Sequence, residues 1–232
     1  MAALPFFFLA LLLAGSAYAA EVTLLERPAQ VKRKGTQVWV TLNLRDEVNE
    51  GDAVRTGAGG RVELSITPKR QFRIGQVTEI EIPRLVGRKR GFKAKINLLL
   101  GRFWGSLRAP LQAALGENVT VSTPLATIGV KGTTFGVDYD KKKKAAQVTV
   151  ITGQIAVNPP PVETGPPQEV AGPREIAPPQ QISRAEWTRL VSADQKLVIR
   201  PGEIPQTEPL TDEDKKDPWI AFNIARDREL GN

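Results

Sequence analysis

The sequence contains neither cysteine nor histidine among its 232 residues. Without these side chains the chain cannot form a Ser-His-Asp triad, a cysteine nucleophile, a Cys/His zinc site or a histidine-ligated haem. It also cannot form disulfides or carry a lipid on a cysteine, so an exported form must hold its fold by packing alone. Any catalysis would have to rest on carboxylates, lysines or hydroxyls.

Pairs of carboxylates are the remaining route to an enzyme, and the sequence gives them little support. Glu79 and Glu81, and likewise Asp138 and Asp140, lie two positions apart in strand-like sequence. Both members of such a pair share one face of a strand, as the two acids of a glycosidase could. The second pair leads into four lysines at residues 141–144, which is typical of a solvated hairpin end. We therefore predict a protein that is not an enzyme, with no catalytic residue, no cofactor and no metal.

Residues 1–20 predict a secretory signal peptide. An apolar run covers residues 4–14, and Ala17-Tyr18-Ala19 fits the small-x-small cleavage pattern. The run is too short for a membrane span, which needs about 20 apolar residues. An uncleaved anchor or a misassigned start is the alternative, the latter because no lysine or arginine precedes the run. We expect a soluble mature protein in the periplasm or secreted, with no transmembrane helix.

Residues 21–157 predict an all-β core. Short runs rich in Val, Ile, Leu and Thr are separated by Gly, Pro, Asn or Asp. In one of them Val62, Leu64 and Ile66 alternate with Glu63 and other polar residues, which predicts one buried and one solvated face. Glycines at irregular intervals suit tight corners, and these runs fit a sandwich or a barrel.

The rest of the chain divides into a proline-rich linker at residues 158–182 and a C-terminal segment at residues 183–232. Ser183 and Glu186 form a capping-box pattern, which predicts a short helix that includes Trp187, Leu190 and Val191. Strand-like sequence follows at residues 197–200. A second helix is predicted from Asp217 as N-cap to a stop at Gly231.

The second helix carries Trp219, Ile220, Phe222 and Ile224, which is more apolar surface than a solvated helix of this length can expose. Acidic residues 212–214 precede it and favour a basic surface. We expect Trp219 and Phe222 to dock on the β domain. Docking on an external partner is the alternative.

Basic residues dominate the stretch between Glu81 and Glu117, which contains no acid. A polyanion such as lipopolysaccharide phosphate, an acidic glycan or nucleic acid could bind there by charge and by stacking on Phe92, Phe103 and Trp104. The alternative is an ordinary solvated face, and export argues against nucleic acid. The candidate polyanion-binding residues are Arg84, Arg88, Lys89, Arg90, Lys93 and Lys95.

Two motifs are more specific than composition. One is a glycine-cornered turn that contains Gly51, Asp52, Thr56 and Gly57. The other contains Thr123, Pro124, Gly132, Thr133 and Phe135. Over residues 37–157 the chain resembles the FecR domain family, in which a GD-x-V-x-T-G corner precedes a T-P-x-A strand pair with V-[RK]-G-T-x-F.

The resemblance implies a β-solenoid-like fold, in which the motif residues shape turns and bind no ligand. Family members that regulate sigma factors have a cytoplasmic segment and a transmembrane helix ahead of the FecR domain. Here only a signal peptide is expected there, so we do not expect a transmembrane anti-sigma regulator. The sequence predicts a non-catalytic interaction or signalling module of the bacterial cell envelope, with a polyanion- or glycan-binding surface protein as the alternative. The expected partner is an envelope protein or an anionic glycan.

Overall fold

The computed structural model describes residues 19–88, 91–108, 118–160 and 188–231. These residues are mostly β, as the sequence predicts, and they contain two short helices. The helices are α1 (Asp212–Lys215) and α2 (Pro218–Glu229). The strands are β1 (Ala20–Glu26), β2 (Ala29–Lys32), β3 (Trp39–Leu42), β4 (Glu47–Val48), β5 (Ala53–Thr56), β6 (Arg61–Thr67), β7 (Arg70–Ile74), β8 (Glu79–Arg88), β9 (Gly91–Leu107), β10 (Asn118–Ser122), β11 (Thr127–Val130), β12 (Thr134–Asp140), β13 (Ala145–Thr152), β14 (Gln154–Asn158), β15 (Arg189–Ser192), β16 (Gln195–Ile199) and β17 (Thr207–Pro209).

The strands form two layers. Sheet A has the order β4-β1-β6-β7-β9-β12-β13-β16-β17. Sheet B has the order β3-β2-β5-β8-β9-β10-β11-β14-β15. The long strand β9 belongs to both sheets and bends at Gly101, which has a φ of 92°. A side chain there would collide with Thr78, so glycine is required.

The hydrophobic core lies between the two sheets. Alternate residues of each strand point inward, as the two-residue period of a strand requires. Phe72 of sheet A packs on Phe92 of the sheet B part of β9 at 6.3 Å, and on Phe103 at 5.3 Å. Gly105 leaves room for the Phe135 ring, since an added Cβ would collide with it. Over the described residues the two layers, which are joined at β9, stay open and do not close into a barrel.

The C-terminal segment adds strands to both layers. Strand β15 pairs with β14 in sheet B, and β16 pairs with β13 in sheet A. Leu190 and Val191 therefore lie in a strand and not in the helix predicted from the capping-box pattern. Val191 is fully buried opposite Ile155, and this burial decides the local structure. Ser183, Glu186 and Trp187 lie outside the described residues.

Helix α2 begins as the sequence predicts. The Asp217 carboxylate accepts hydrogen bonds from the backbone N–H groups of Trp219 and Ile220 at 2.9 and 3.1 Å, and Pro218 occupies the first turn. In the part of the chain described here, no helix is long and apolar enough to cross a membrane.

Candidate functional site

The residues of the early FecR-like motif form a corner of the fold. Asp52 is buried and accepts hydrogen bonds from the backbone N–H groups of Lys34 and Asn49, both at 3.0 Å. It also lies 2.8 Å from the Arg33 guanidinium. The Thr56 hydroxyl donates to the Gly75 carbonyl at 2.5 Å. These polar groups have partners within the fold, as expected for residues that shape a turn.

Gly51 and Gly57 belong to the same corner. Gly51 adopts a φ of 92°, a left-handed conformation that glycine tolerates best, and its N–H donates to the Ile82 carbonyl at 2.8 Å. The Gly57 carbonyl accepts from the N–H of Val77 at 3.0 Å and from the N–H of Gly60 at 3.1 Å. The corner is therefore joined to β8 and to the loop before it.

The late motif is a second turn and a core strand. The Thr123 hydroxyl accepts from the N–H of Leu125 at 3.2 Å and of Ala126 at 3.0 Å, around Pro124. Gly132 has a φ of 58°. Thr133 and Phe135 are buried, and the Phe135 ring lies 6.2 Å from that of Phe103.

The basic residues that the structure describes lie on the outer face of sheet B. Arg84, Lys93 and Lys95 are exposed, and Arg84 stands directly opposite Lys95 across β8 and β9. Lys89, Arg90 and the side chain of Arg88 lie outside what the structure describes. The three aromatics proposed for stacking are buried, so that part of the polyanion prediction is wrong. The buried aromatics are Phe92, Phe103 and Trp104.

Helix α2 covers the outer face of sheet A. Trp219 and Ile220 are buried against Trp104 of β9, while Phe222 is partly buried. The Trp219 and Phe222 rings stack at a centroid distance of 6.0 Å, and the Arg61 guanidinium lies 4.4 Å from the Phe222 ring centroid. The apolar residues of the helix thus contact the β layers of the same chain.

A buried ionic cluster joins the helix to sheet A, and sequence reasoning missed it. Arg73 of β7 lies 2.7 Å from Glu63 of β6 and 2.7 Å from Asp227 of α2. Arg226 lies 3.1 Å from the Glu63 carboxylate, and the Trp104 indole donates to Asp227 at 3.0 Å. Burial tends to raise the pKa of Glu63, but the hydrogen bonds from Arg226, Arg73 and Thr23 together hold it below its ordinary value.

The sequence predicts that the polar face of β6 is solvated, and this prediction is wrong for Glu63. Glu63 is 1% exposed because α2 lies over it. The local sequence gives no signal for this burial, because period-two alternation distinguishes the two faces of a strand but does not show what packs on either face. A charged residue in the middle of a strand gives no indication of what covers it.

A second set of ion pairs holds the start of the helix. The Arg102 guanidinium makes two hydrogen bonds to Asp138, at 3.0 and 2.9 Å, and contacts the N-cap residue Asp217 at 3.0 Å. These groups and the α1–α2 turn line a polar cavity of about 520 Å³. Within the described ranges no group of three or more acidic, histidine or cysteine side chains could hold a metal ion.

The first strands leave an apolar edge exposed. Strand β3 pairs, among the described residues, only with β2, and therefore forms one edge of sheet B. Val38, Val40 and Leu44 are 67%, 46% and 54% exposed along this edge. At the opposite edge Arg189 of β15 donates to the Pro205 carbonyl at 2.9 Å, so the following loop runs beside that strand.

Residues 52–156 match the family model described as FecR protein. The match confirms the resemblance inferred from the two motifs. It covers strands β5 to β13 and most of β14, and it includes none of the C-terminal segment. No curated protein matches the chain by sequence.

The chain is similar in fold to two crystal structures of a proposed anti-sigma factor from Parabacteroides distasonis. The first has a TM-score of 0.50 and 14% identity, over 72% of this chain and 64% of that one. The second has a TM-score of 0.46 and 12% identity, over 68% of this chain and 59% of that one. This chain thus spans less than two thirds of either structure, and the first likeness shows the fold alone.

Proposed function

We propose that this protein is an exported, non-catalytic signalling module of the bacterial cell envelope that acts by binding another protein. The FecR domain and the likeness to a proposed anti-sigma factor support a regulatory role. The signal sequence predicted in residues 1–20 supports a periplasmic or secreted location. The polar side chains of Asp52, Thr56 and Thr123 bond within the fold, which supports a role for the surface of the domain and not for a chemical centre.

The solenoid-like fold implied by the family resemblance belongs to the same proposal. Going along the chain, strands leave one sheet and enter the other repeatedly: β5 lies in sheet B, β6 and β7 in sheet A, and β8 in sheet B. Strands β10 and β11, then β12 and β13, then β14 and β15 alternate in the same way. This alternation supports a coiled path around one core.

The exposed edge at β3 is the observation that carries the protein-binding function. Proteins usually protect edge strands with charge, proline or a covering loop, because an unpaired edge invites another strand. Strand β3 instead presents Val38 and Val40 on one side of the edge. A partner could add an extended strand here, with backbone hydrogen bonds for affinity and alternate apolar side chains against the two valines for specificity.

The experiment is site-specific photocrosslinking in intact cells, followed by purification from the envelope fraction. A crosslinker at Val38 or Val40 should give a discrete adduct with one protein. Leu190 and Ile204 are matched controls, because they are 58% and 56% exposed but lie at the opposite end of the sheets. Adducts of equal yield at all four positions, or none at β3, would contradict the proposal.

A second candidate function is polyanion binding, and one arrangement favours it. Arg84 and Lys95 face each other across two strands, although like charges directly opposite are unfavourable. A bound anion would relieve this repulsion. The salt dependence of binding distinguishes the two candidate functions. Charge-driven binding weakens steeply as ionic strength rises, whereas the affinity of a packed protein interface changes little.

A further inference from the structure

We propose that the outer face of sheet B binds a linear acidic glycan that lies across the strands. The inference rests on the second candidate function, polyanion binding, and specifies its ligand and its site. It uses neither the valine side of β3 nor the face of sheet A that helix α2 covers.

One row of outward-pointing side chains crosses eight strands of sheet B in register. Each member stands opposite the next across a strand pair, so neighbours are separated by about 4.8 Å. We call this set the cross-strand row. Its members, in spatial order, are Trp39, Lys32, Ala53, Glu81, Asn97, Ser122, Thr127 and Asn158.

Most of the cross-strand row consists of groups that hydrogen-bond sugar hydroxyls. The Thr127 hydroxyl is buried without a hydrogen-bond partner among the described residues. The other members beyond Ala53 present a carboxylate, two amides and one hydroxyl. They are partly exposed, and Asn97 bonds to Glu81 at 3.3 Å, which fixes both side chains. Thr188 extends the line by donating to Asn158 at 2.9 Å. A pyranose chain advances by a length close to the strand spacing, so successive sugars could meet successive strands.

At the Trp39 end of the cross-strand row, two cationic side chains are held in place. The Arg55 guanidinium lies 4.3 Å from the Trp39 ring centroid, and the Lys32 ammonium lies 5.2 Å from it. Such cation–π contacts favour these positions. Arg55 also donates to Gln30 at 2.8 Å. The charges are thus positioned before any ligand arrives.

Two shallow cavities flank this end of the row on the same face. One, of about 310 Å³, is lined by Gln30, Thr41 and Arg55 among others. The other, of about 290 Å³, is lined by Lys32, Ala53 and Glu81 among others. The small side chain of Ala53 leaves the space between its larger neighbours. Cavities beside a charged, flat surface suit the ring substituents of a sugar chain.

The charge of the face selects an acidic polymer. Arg84 and Lys95 lie in the row next to the middle of the cross-strand row, Lys93 lies one row further on, and all three are exposed. Of the acids on this face, Glu79 stands opposite Arg55 and Glu81 bonds to Asn97. The bases therefore outnumber the acids, and carboxylates spaced along a glycan could reach both cationic regions.

The test is calorimetric titration of the purified protein with polyuronate oligomers, with polyphosphate of equal charge as a probe that lacks sugar rings. We expect polyuronate to bind more tightly. Lys93→Ala with Lys95→Ala should weaken both probes at least tenfold. Asn97→Ala with Ser122→Ala should weaken polyuronate at least fivefold and leave polyphosphate unchanged.

The matched control is Lys141→Ala with Lys142→Ala, which removes two exposed lysines from the hairpin between β12 and β13 of sheet A and should not affect binding. Thr120→Glu is an independent variant, since it places an acid beside Lys95 without removing a contact, and it should weaken polyuronate binding. Melting curves check that each variant is folded.

Each of the other possible outcomes overturns a stated part of the proposal. Equal binding of both probes, insensitive to Asn97→Ala with Ser122→Ala, would mean attraction by charge alone; it would overturn the glycan site and leave polyanion binding intact. Loss of binding in the hairpin control would overturn the site on sheet B. Binding of neither probe would overturn the polyanion function as well.

Discussion

The Arg73 guanidinium of β7 lies 2.7 Å from the Asp227 carboxylate of α2, and the two side chains are only 1% and 8% exposed. Together with Glu63 this pair joins α2 to strands β6 and β7 of sheet A, which lie in the first half of the chain. Buried ion pairs contribute little net stability compared with apolar contacts, but losing one partner is costly. The pair therefore fixes where the helix docks.

Removing the acid of this pair should destabilise the protein strongly. In Asp227→Ala the Arg73 charge keeps only Glu63 as a carboxylate partner, and the Trp104 indole loses its acceptor. We expect a loss of about 3 kcal/mol in unfolding free energy, measured by urea denaturation. Asp212→Ala is the control, since Asp212 is exposed, and it should change stability by less than about 1 kcal/mol. Equal effects of the two variants would show that the buried pair has no special role.

The apolar contacts of α2 should contribute as much to the stability of the fold as its ion pairs do. Trp219→Ala with Phe222→Ala removes the stacked rings and uncovers Trp104. Truncating a buried Trp costs about 3–5 kcal/mol, so the melting temperature should fall and proteases should cleave the C-terminal segment faster. An unchanged melting curve would mean that the helix does not dock on its own chain.

Acid should weaken the attachment of α1. The hydrogen bonds from Lys196 and Thr211 lower the pKa of Asp214 from 3.8 to about 2. A carboxyl group with a lowered folded-state pKa stabilises the fold above its unfolded pKa and loses that contribution as pH falls through the folded value. Wild-type stability should thus drop between pH 3.8 and about 2.

The matching variant is Asp214→Asn, which should be less stable at pH 7 and show a flatter acid limb in thermal melts at several pH values. Glu47→Gln, at an exposed position, is the control and should keep the wild-type profile. A steep acid limb in Asp214→Asn identical to that of wild type would contradict this assignment.

Export should leave an N-terminus at Ala20 or Glu21. The pattern Ala17-Tyr18-Ala19 predicts the cleavage site, and β1 begins at Ala20, which is buried and stands opposite Val48. Cleavage after Ala19 leaves the strand intact. N-terminal sequencing of protein from the envelope fraction checks this, and recovery of Met1 from the cytoplasm would refute it.

The sequence predicted those features that depend on local patterns. Alternation placed Val62 and Leu64 in the core, because a strand's two faces follow a period of two. Asp217 and Pro218 marked the start of α2, since N-cap chemistry involves only neighbouring residues. The FecR-like turns at Asp52 and Thr123 were predicted for the same reason.

Features that depend on distant contacts could not be predicted. The Ser183 capping-box pattern favoured a helix, but Val191 gains more by entering sheet B beside β14. Glu63 and Arg73 are buried by a helix far along the chain, and Trp104 is buried with them. The cross-strand row became visible only when the register of sheet B was known, because its members come from eight separate strands.

Protein binding at β3 is tested most directly by recovering the crosslinked partner from cells that express variants of this edge. Val38→Lys with Val40→Lys adds charge to the exposed edge, which blocks strand addition with little effect on folding. Leu190→Lys with Ile204→Lys is the control at the opposite end, where both residues are as exposed. If a protein binds at β3, the partner is lost from the first variant and retained by the control, at unchanged melting temperatures. Undiminished recovery from the first variant would contradict it.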